Sequence, residues 1–478
     1  ALQVIAPLIE QLPQNDQPAD DTFVDAYVLE ALCRLKLKQF DGAAKSATAY
    51  LDATPQGEFV SQALGIRARA AAQLGNKAIA AADQEQLKTD WPQSPDFPRT
   101  TEELAEVAYA NKDFVWAAEL YEQLAALEKD SKYRPVGLSG LGWAHFHQEQ
   151  YQPAANAFAA VVKDYPEHPL APEAGFQHGA SLRKLGQIEE AANVFTATFE
   201  KYTPSKMGFM AGLGAARQMR ALARIDDADK MYAALVEKYP DRQDLDLLLN
   251  EWAEMLNAAK QHERSDVVWR QIVANFPDSP FADEGQLQLA ISDINASKFD
   301  DARAKLRSLV ADEQITPQRR EEAMFRLAAI EEEQEQWDAS ADWAERMLAD
   351  YPEGRHAWAA RMFSARSDYK RELFDKARPK LDELRAARDQ IVTVDGTPVS
   401  DSKTVGDFNW FPGVWIMLAD IALREKRHDD VAAIVEEFHT TSPKSPFLHH
   451  ADELLGRSLS AQAKFEEARA AFQRVTES

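Results

Sequence analysis

Bulky and small side chains recur along this chain at helical spacing, and the pattern itself repeats over a longer period. Strings with a bulky residue, a small one three later and a second bulky one four after that begin at Phe114 (FVWAAELY), Tyr151 (YQPAANAF) and Ile188 (IEEAANVF). Others begin at Ile225, His262 and Phe299, each 37 residues after the one before. The same spacing leads back to Lys77 and Phe40. It leads forward to Trp337 (one residue late), Phe374, His428 (after a gap of 54) and Phe465. Apolar positions three and four apart share a helix face, so each string predicts one amphipathic helix. A regular period of this length predicts stacked repeats in place of one large core.

Two further positions keep the register. Nine residues before each bulky anchor the side chain is tiny, from Ala31 and Ala68 through Gly142 and Gly179 to Ala419 and Gly456. Three residues after it stand Ala43, Ala80, Ala117 and their counterparts, with Ser265, Ser340 and Val431 the departures from alanine. Two helices approach closely only where neither carries a large side chain at the crossing, so these positions predict a helix before each anchor, antiparallel to the helix after it. Proline fifteen residues past the anchor (Pro55, Pro92, Pro166, Pro240, Pro277, Pro352, Pro443) ends the second helix, having no amide hydrogen to donate. The expectation is an all-α chain, a right-handed α-solenoid of about twelve antiparallel helix hairpins. Residues 1–16 read as the second helix of a preceding repeat, 24–389 as repeats 1–10 and 412–478 as repeats 11–12. That register, together with the want of a polar closing helix, reads as a segment of a longer array.

The order Leu141-Gly142, Tyr151, Ala154, Phe158 and Pro166 resembles the tetratricopeptide consensus, with three residues added to its 34-residue unit. The loops YPEHPLAPEA, FPDSPFADEG and SPKSPFLHHADE resemble the longer repeats of bacterial envelope proteins such as the Tol–Pal coordinator and the barrel-assembly lipoprotein. The tetratricopeptide resemblance implies a non-enzymatic scaffold that takes protein or peptide partners on its concave face. The envelope resemblance implies a periplasmic or cell-envelope setting.

Besides the one-residue slip before Trp337, the register is broken by one insertion, across residues 390–411. There IVTVDGTPV sets Asp395-Gly396, a favoured two-residue turn, between β-branched residues. A small β-hairpin and a polar loop are both open for this insertion.

Composition narrows the function classes. A formal charge of -24 disfavours nucleic acid, because phosphates repel such a surface. No apolar run reaches the 18 or so residues that span a bilayer. The lone Cys33, in EALCRL, reads as a small buried hydrophobe. The glycine clusters GLSGLGWAHF and GFMAGLGAARQ fall where helix crossings are predicted and follow no strand, so packing explains them better than phosphate binding. Neighbours His449 and His450 should diverge on a helix, and EEEQEQW from Glu331 reads as a solvated face. No catalytic constellation, metal-ligand pattern or cofactor motif is found.

In tetratricopeptide proteins the first helices line the groove, with side chains at eight, five and sometimes four residues before the anchor. The resemblance places Arg69, Glu106 and Tyr109 there. Next come Trp143, Phe146 and His147, then Arg183 and Lys184, and then Arg217 and Arg220. An aromatic pair followed by four cations suits an extended peptide carrying acidic residues or a free carboxylate. The other reading has Trp143 packed between hairpins and the cations paired with neighbouring carboxylates. Two rival roles stay open: a self-assembling or envelope-layer component, and the regulatory arm of a larger enzyme.

Overall fold

The computed structural model describes residues 21–394, 397–398 and 404–477. Among them the chain is an all-α repeat solenoid, a succession of antiparallel helix hairpins divided into two compact units at residue 245. The helix expected over residues 1–16 lies outside the described residues, as do Asp395 and Gly396.

All twelve anchors are the first residue of a helix. Phe40–Ala53, Lys77–Asp90, Phe114–Ala125, Tyr151–Asp164, Ile188–Tyr202 and Ile225–Lys238 are the second helices of unit 1. His262–Asn275, Phe299–Ala311, Trp337–Asp350, Phe374–Ala386, His428–Thr441 and Phe465–Glu477 are those of unit 2. Each proline of the register sits two residues beyond its helix, as Pro166 follows Asp164.

The small residues are buried at the crossings, and the two serines among them explain themselves. Ser265 Oγ donates to the Ala253 carbonyl at 2.9 Å and Ser340 Oγ to the Ala328 carbonyl at 3.0 Å, so the buried hydroxyl is satisfied by the facing helix. Gly142 faces the Phe158 ring, where an added Cβ would lie 2.7 Å from Cε1.

Gly137 is tighter still. A Cβ there would meet the Ala125 backbone nitrogen at 2.6 Å and the Leu124 carbonyl carbon at 2.8 Å. Alanine in an open helix interior gains roughly 0.5–1 kcal/mol over glycine. Here the obstacle is the main chain of the preceding hairpin and cannot rotate away. Gly137→Ala is therefore expected to destabilise unit 1 by about 2 kcal/mol, read as a lowered urea midpoint. A gain in stability would show that the two hairpins are looser than drawn.

The turn inside each hairpin has a feature the residue types do not announce. The residue two before every anchor has positive φ: Lys38, Gly75, Lys112, Glu149, Gly186, Ala223 and the six that follow, of which only two are glycine. The next amide closes the helix by a long-range bond, as Asp113 N–H does to the Ala108 carbonyl at 2.9 Å. This is the Schellman geometry, which satisfies carbonyls that the helix end would otherwise leave bare.

The described parts of the insertion pack instead of floating. Thr393 and Val394 pair antiparallel with Pro398 and Thr397, and Ile391 bridges Thr404. Val392, Val405 and Phe411 are buried in one cluster with Trp415, Leu381 and Phe438. Three local expectations are corrected. Cys33 is half-buried. Glu331 is buried, because its carboxylate accepts from Arg303 Nε at 2.8 Å. The His449 and His450 rings come within 3.9 Å, although no group of three possible metal ligands forms among the described residues.

Candidate functional site

The residues expected in the groove come from the last three first helices of unit 1. Arg134–His147 carries Trp143, Phe146 and His147; Ala171–Lys184 ends on Arg183 and Lys184; Lys206–Ala221 carries Arg217 and Arg220. Cations in a last helical turn face the negative end of the helix dipole, which favours them there locally.

The three aromatics meet and recruit others. Trp143 stands edge-on to Phe158 (5.8 Å, 87°) and to Phe146 (6.0 Å, 73°), and lies near-parallel to His147 at 6.0 Å. His147 stacks on Phe114 at 4.7 Å and 10°, with Tyr109 edge-on at 5.6 Å. Phe146 meets Tyr151 at 5.4 Å. The result is a continuous shelf across two hairpins, and its rings are half-buried except for exposed His147 and buried Phe158. Each such pair contributes roughly 0.5–1.5 kcal/mol beyond area burial, so the shelf is held before any ligand arrives. Phe114 and Tyr151 join the shelf although the sequence pattern gives them the role of anchors that open the second helices. Their aromatic identity at the anchor was the available signal, since leucine or alanine would pack there as well.

The Tyr109 phenol is pushed up, first by burial and then by the carboxylate of Glu173, which reaches it from helix Ala171–Lys184. The charge of that helix is therefore felt at the shelf.

The cations divide. Arg183, Lys184 and Arg220 are exposed, and among the described residues no carboxylate lies within ion-pairing distance of any of them. Arg217, also exposed, has an interaction of its own. Arg69 is not available: it is buried, donating to the Gly65 carbonyl at 2.8 Å and pairing with Glu103 at 2.9 Å. Near it Glu102 and Glu106 have raised carboxyls, first from burial and then from neighbouring carboxylates.

Corresponding positions in unit 2 are internally neutralised. Arg366 pairs with Glu332, and Lys370 sits 5.5 Å over the Trp337 ring. Asp420 accepts from Arg424 Nε at 2.6 Å and from the Tyr369 hydroxyl at 2.8 Å; burial first, and then this bond, push that phenol up to about 12.

A profile for the tetratricopeptide repeat-like domain matches residues 249–343, and one for the tetratricopeptide repeat matches 138–168 and 210–242. No curated protein sequence matches the chain. Among solved structures, Naa15/Naa10 bound to HypK-THB is 14% identical, covering 94% of this chain and 67% of that one with a TM-score of 0.42. The APC/C hetero-tetramer Cut9-Hcn1 is 11% identical, covering 96% and 99%, TM-score 0.31. PilF of Pseudomonas aeruginosa is 14% identical, covering 48% and 97%, TM-score 0.29. The helix pairs, the small-residue crossings and the two profiles agree: residues 138–168, 210–242 and 249–343 are similar to the tetratricopeptide repeat, and the hairpins on either side repeat the same pattern.

Proposed function

We propose that the chain is a non-enzymatic scaffold that binds an extended polypeptide on the first-helix face of unit 1. The shelf of Tyr109, Phe114, Trp143, Phe146 and His147 takes an aromatic or apolar side chain. Arg183, Lys184 and Arg220 take acidic residues or a terminal carboxylate further along. One observation carries this reading. Among the described residues those three cations meet no carboxylate, whereas Arg366 and Arg424 at comparable positions in unit 2 are already paired. Unpaired guanidinium groups beside a preformed aromatic surface are the usual anchors of polypeptide recognition. The charge of -24 over the whole chain makes a local basic patch selective, because acidic partners are repelled elsewhere. The Pro-x-Ser-Pro loops support an envelope setting for this binding.

The test is selection of random peptides against the wild-type chain and against an Arg183→Glu/Arg220→Glu variant. Wild-type binders should pair an aromatic residue with acidic ones, and should bind the variant about 30-fold more weakly, ~2 kcal/mol. Identical binders with equal affinity for both proteins would remove the patch from the account. Light scattering on the same samples reads the competing role, since a scaffold of this kind stays monomeric as concentration rises and a tiling protein does not.

A further inference from the structure

Seven acidic residues are buried among the described residues. Six of them touch a cation: Glu30 with Arg34, Asp83 with Arg67, Glu331 with Arg303, Asp368 with Lys380, Asp420 with Arg424, and Asp452 with Arg474. The seventh, Glu321, has no cationic partner. It is 6% exposed, and its single hydrogen bond is accepted by Oε1 from the His356 backbone amide at 2.6 Å. Gly354 lets that carboxylate in, since a Cβ there would lie 2.4 Å from Oε1. The carboxylate's second oxygen, Oε2, has no hydrogen-bond partner among the described residues and is left to accept from outside the chain.

Glu321 lines a cavity of about 660 Å³ between helix Ala282–Asn295, helix Pro317–Glu333 and the loop 350–356. Two of the wall's cations are already spent: Arg319 on Glu284 at 3.3 Å and Arg326 on Glu322 at 2.7 Å. What is left is negative, with Asp350 and Glu353 on the rim against Arg355. Leu287 and Ile291 form an apolar wall, and Ile291 stands eight residues before its anchor, the groove register of Trp143.

We propose that this cavity binds the side-chain ammonium of a lysine on a polypeptide partner. The methylene stem lies along Leu287 and Ile291, as long basic side chains do on apolar surface. The ammonium donates to the Oε2 of Glu321. Because Oε1 is held by the His356 amide, one oxygen is left, which fits a point charge better than the two-pronged guanidinium of arginine. This inference rests on the reading that first-helix surfaces bind polypeptide, but it concerns a separate site of opposite charge in unit 2.

The experiment is isothermal titration of the full chain with a capped Ala-Lys-Ala peptide, its norleucine counterpart and spermidine. The lysine peptide should bind and the norleucine peptide should not. Glu321→Gln keeps the acceptor for the His356 amide and should weaken the lysine peptide about tenfold. Ile291→Lys, which supplies an ammonium from the wall itself, should abolish binding with the fold intact by circular dichroism. The Arg183→Glu/Arg220→Glu variant should bind the lysine peptide as wild type does, so failure there is distinct from failure here. Equal binding of the norleucine peptide, an unchanged Glu321→Gln affinity, or spermidine binding without peptide binding would each overturn the proposal.

Discussion

Replacing Trp415 with alanine is expected to destabilise unit 2 by about 4 kcal/mol, the range for a fully buried large aromatic. Trp415 is 1% exposed and stacks on Phe438 at 5.2 Å and 7°, with Phe411 edge-on at 4.9 Å. Its Nε1–H donates to Glu437 Oε1 at 3.3 Å. Deleting the ring removes the packing between helices Pro412–Arg424 and His428–Thr441, and also the support under Val392 and Val405 of the insertion. The loss should therefore be local. Hydrogen exchange should rise first in those two helices and around Val405, before distant hairpins respond, because repeats depend mainly on their neighbours. Trp415→Phe keeps most of the stack and loses one partly buried hydrogen bond, so it should cost about 1 kcal/mol. Exchange that rose evenly through unit 2 would mean the hairpins do not act as nearest-neighbour units.

The second large effect is on acid stability. The Glu322 carboxyl is held down at about 2, first by the hydrogen bond donated from His356 Nε2 at 2.6 Å, with burial working against it and Arg326 adding to it. A carboxylate with a folded value below its unfolded value of 4.5 contributes stability that is complete above 4.5 and lost as pH falls toward 2. The shift corresponds to about 3 kcal/mol at full ionisation. Urea unfolding at pH 6 and pH 2 should show the wild-type chain losing about that much more than Glu322→Gln, whose amide cannot titrate. Other ion-paired carboxylates with depressed values, such as Glu345 beside Lys380 and Glu437 beside Arg385, also lose their contribution on acidification. Only the difference between wild type and variant isolates Glu322. Parallel pH dependences for the two proteins would take the His356 contact out of the explanation.

The Glu322 contact and the Glu321 cavity share a wall and differ in what they report. Glu322 is satisfied on both sides, by His356 and Arg326, so its replacement reads as stability. Glu321 is not, so its replacement should read mainly as binding. Two adjacent carboxylates thus give separable signals in one pair of variants.

The amino-acid sequence determined the hairpins down to the residue. Anchor, crossing and stop are short-range demands: a bulky side chain opens the second helix, a small one lets two helices touch, and proline closes the second where it occurs. Each leaves a residue type at a fixed offset, so Phe114, Ala117 and Gly142 could be read without coordinates. The groove was legible by half for the same reason. Register put Trp143, Phe146 and His147 on one face, but whether a cation there is spent or available depends on what a different hairpin sets against it. Arg69 is buried against Glu103, 34 residues on, while Arg183 meets no carboxylate among the described residues, and nothing in their own stretches of sequence distinguishes them. The positive φ before each anchor was also hidden, because the geometry of the turn imposes it on lysine, glutamate and alanine alike. Tertiary structure alone decided that the insertion buries Val392 and Val405, and that Glu321 goes under without a counter-ion. Burial and charge pairing are properties of two surfaces meeting, and one stretch of sequence carries only one of them.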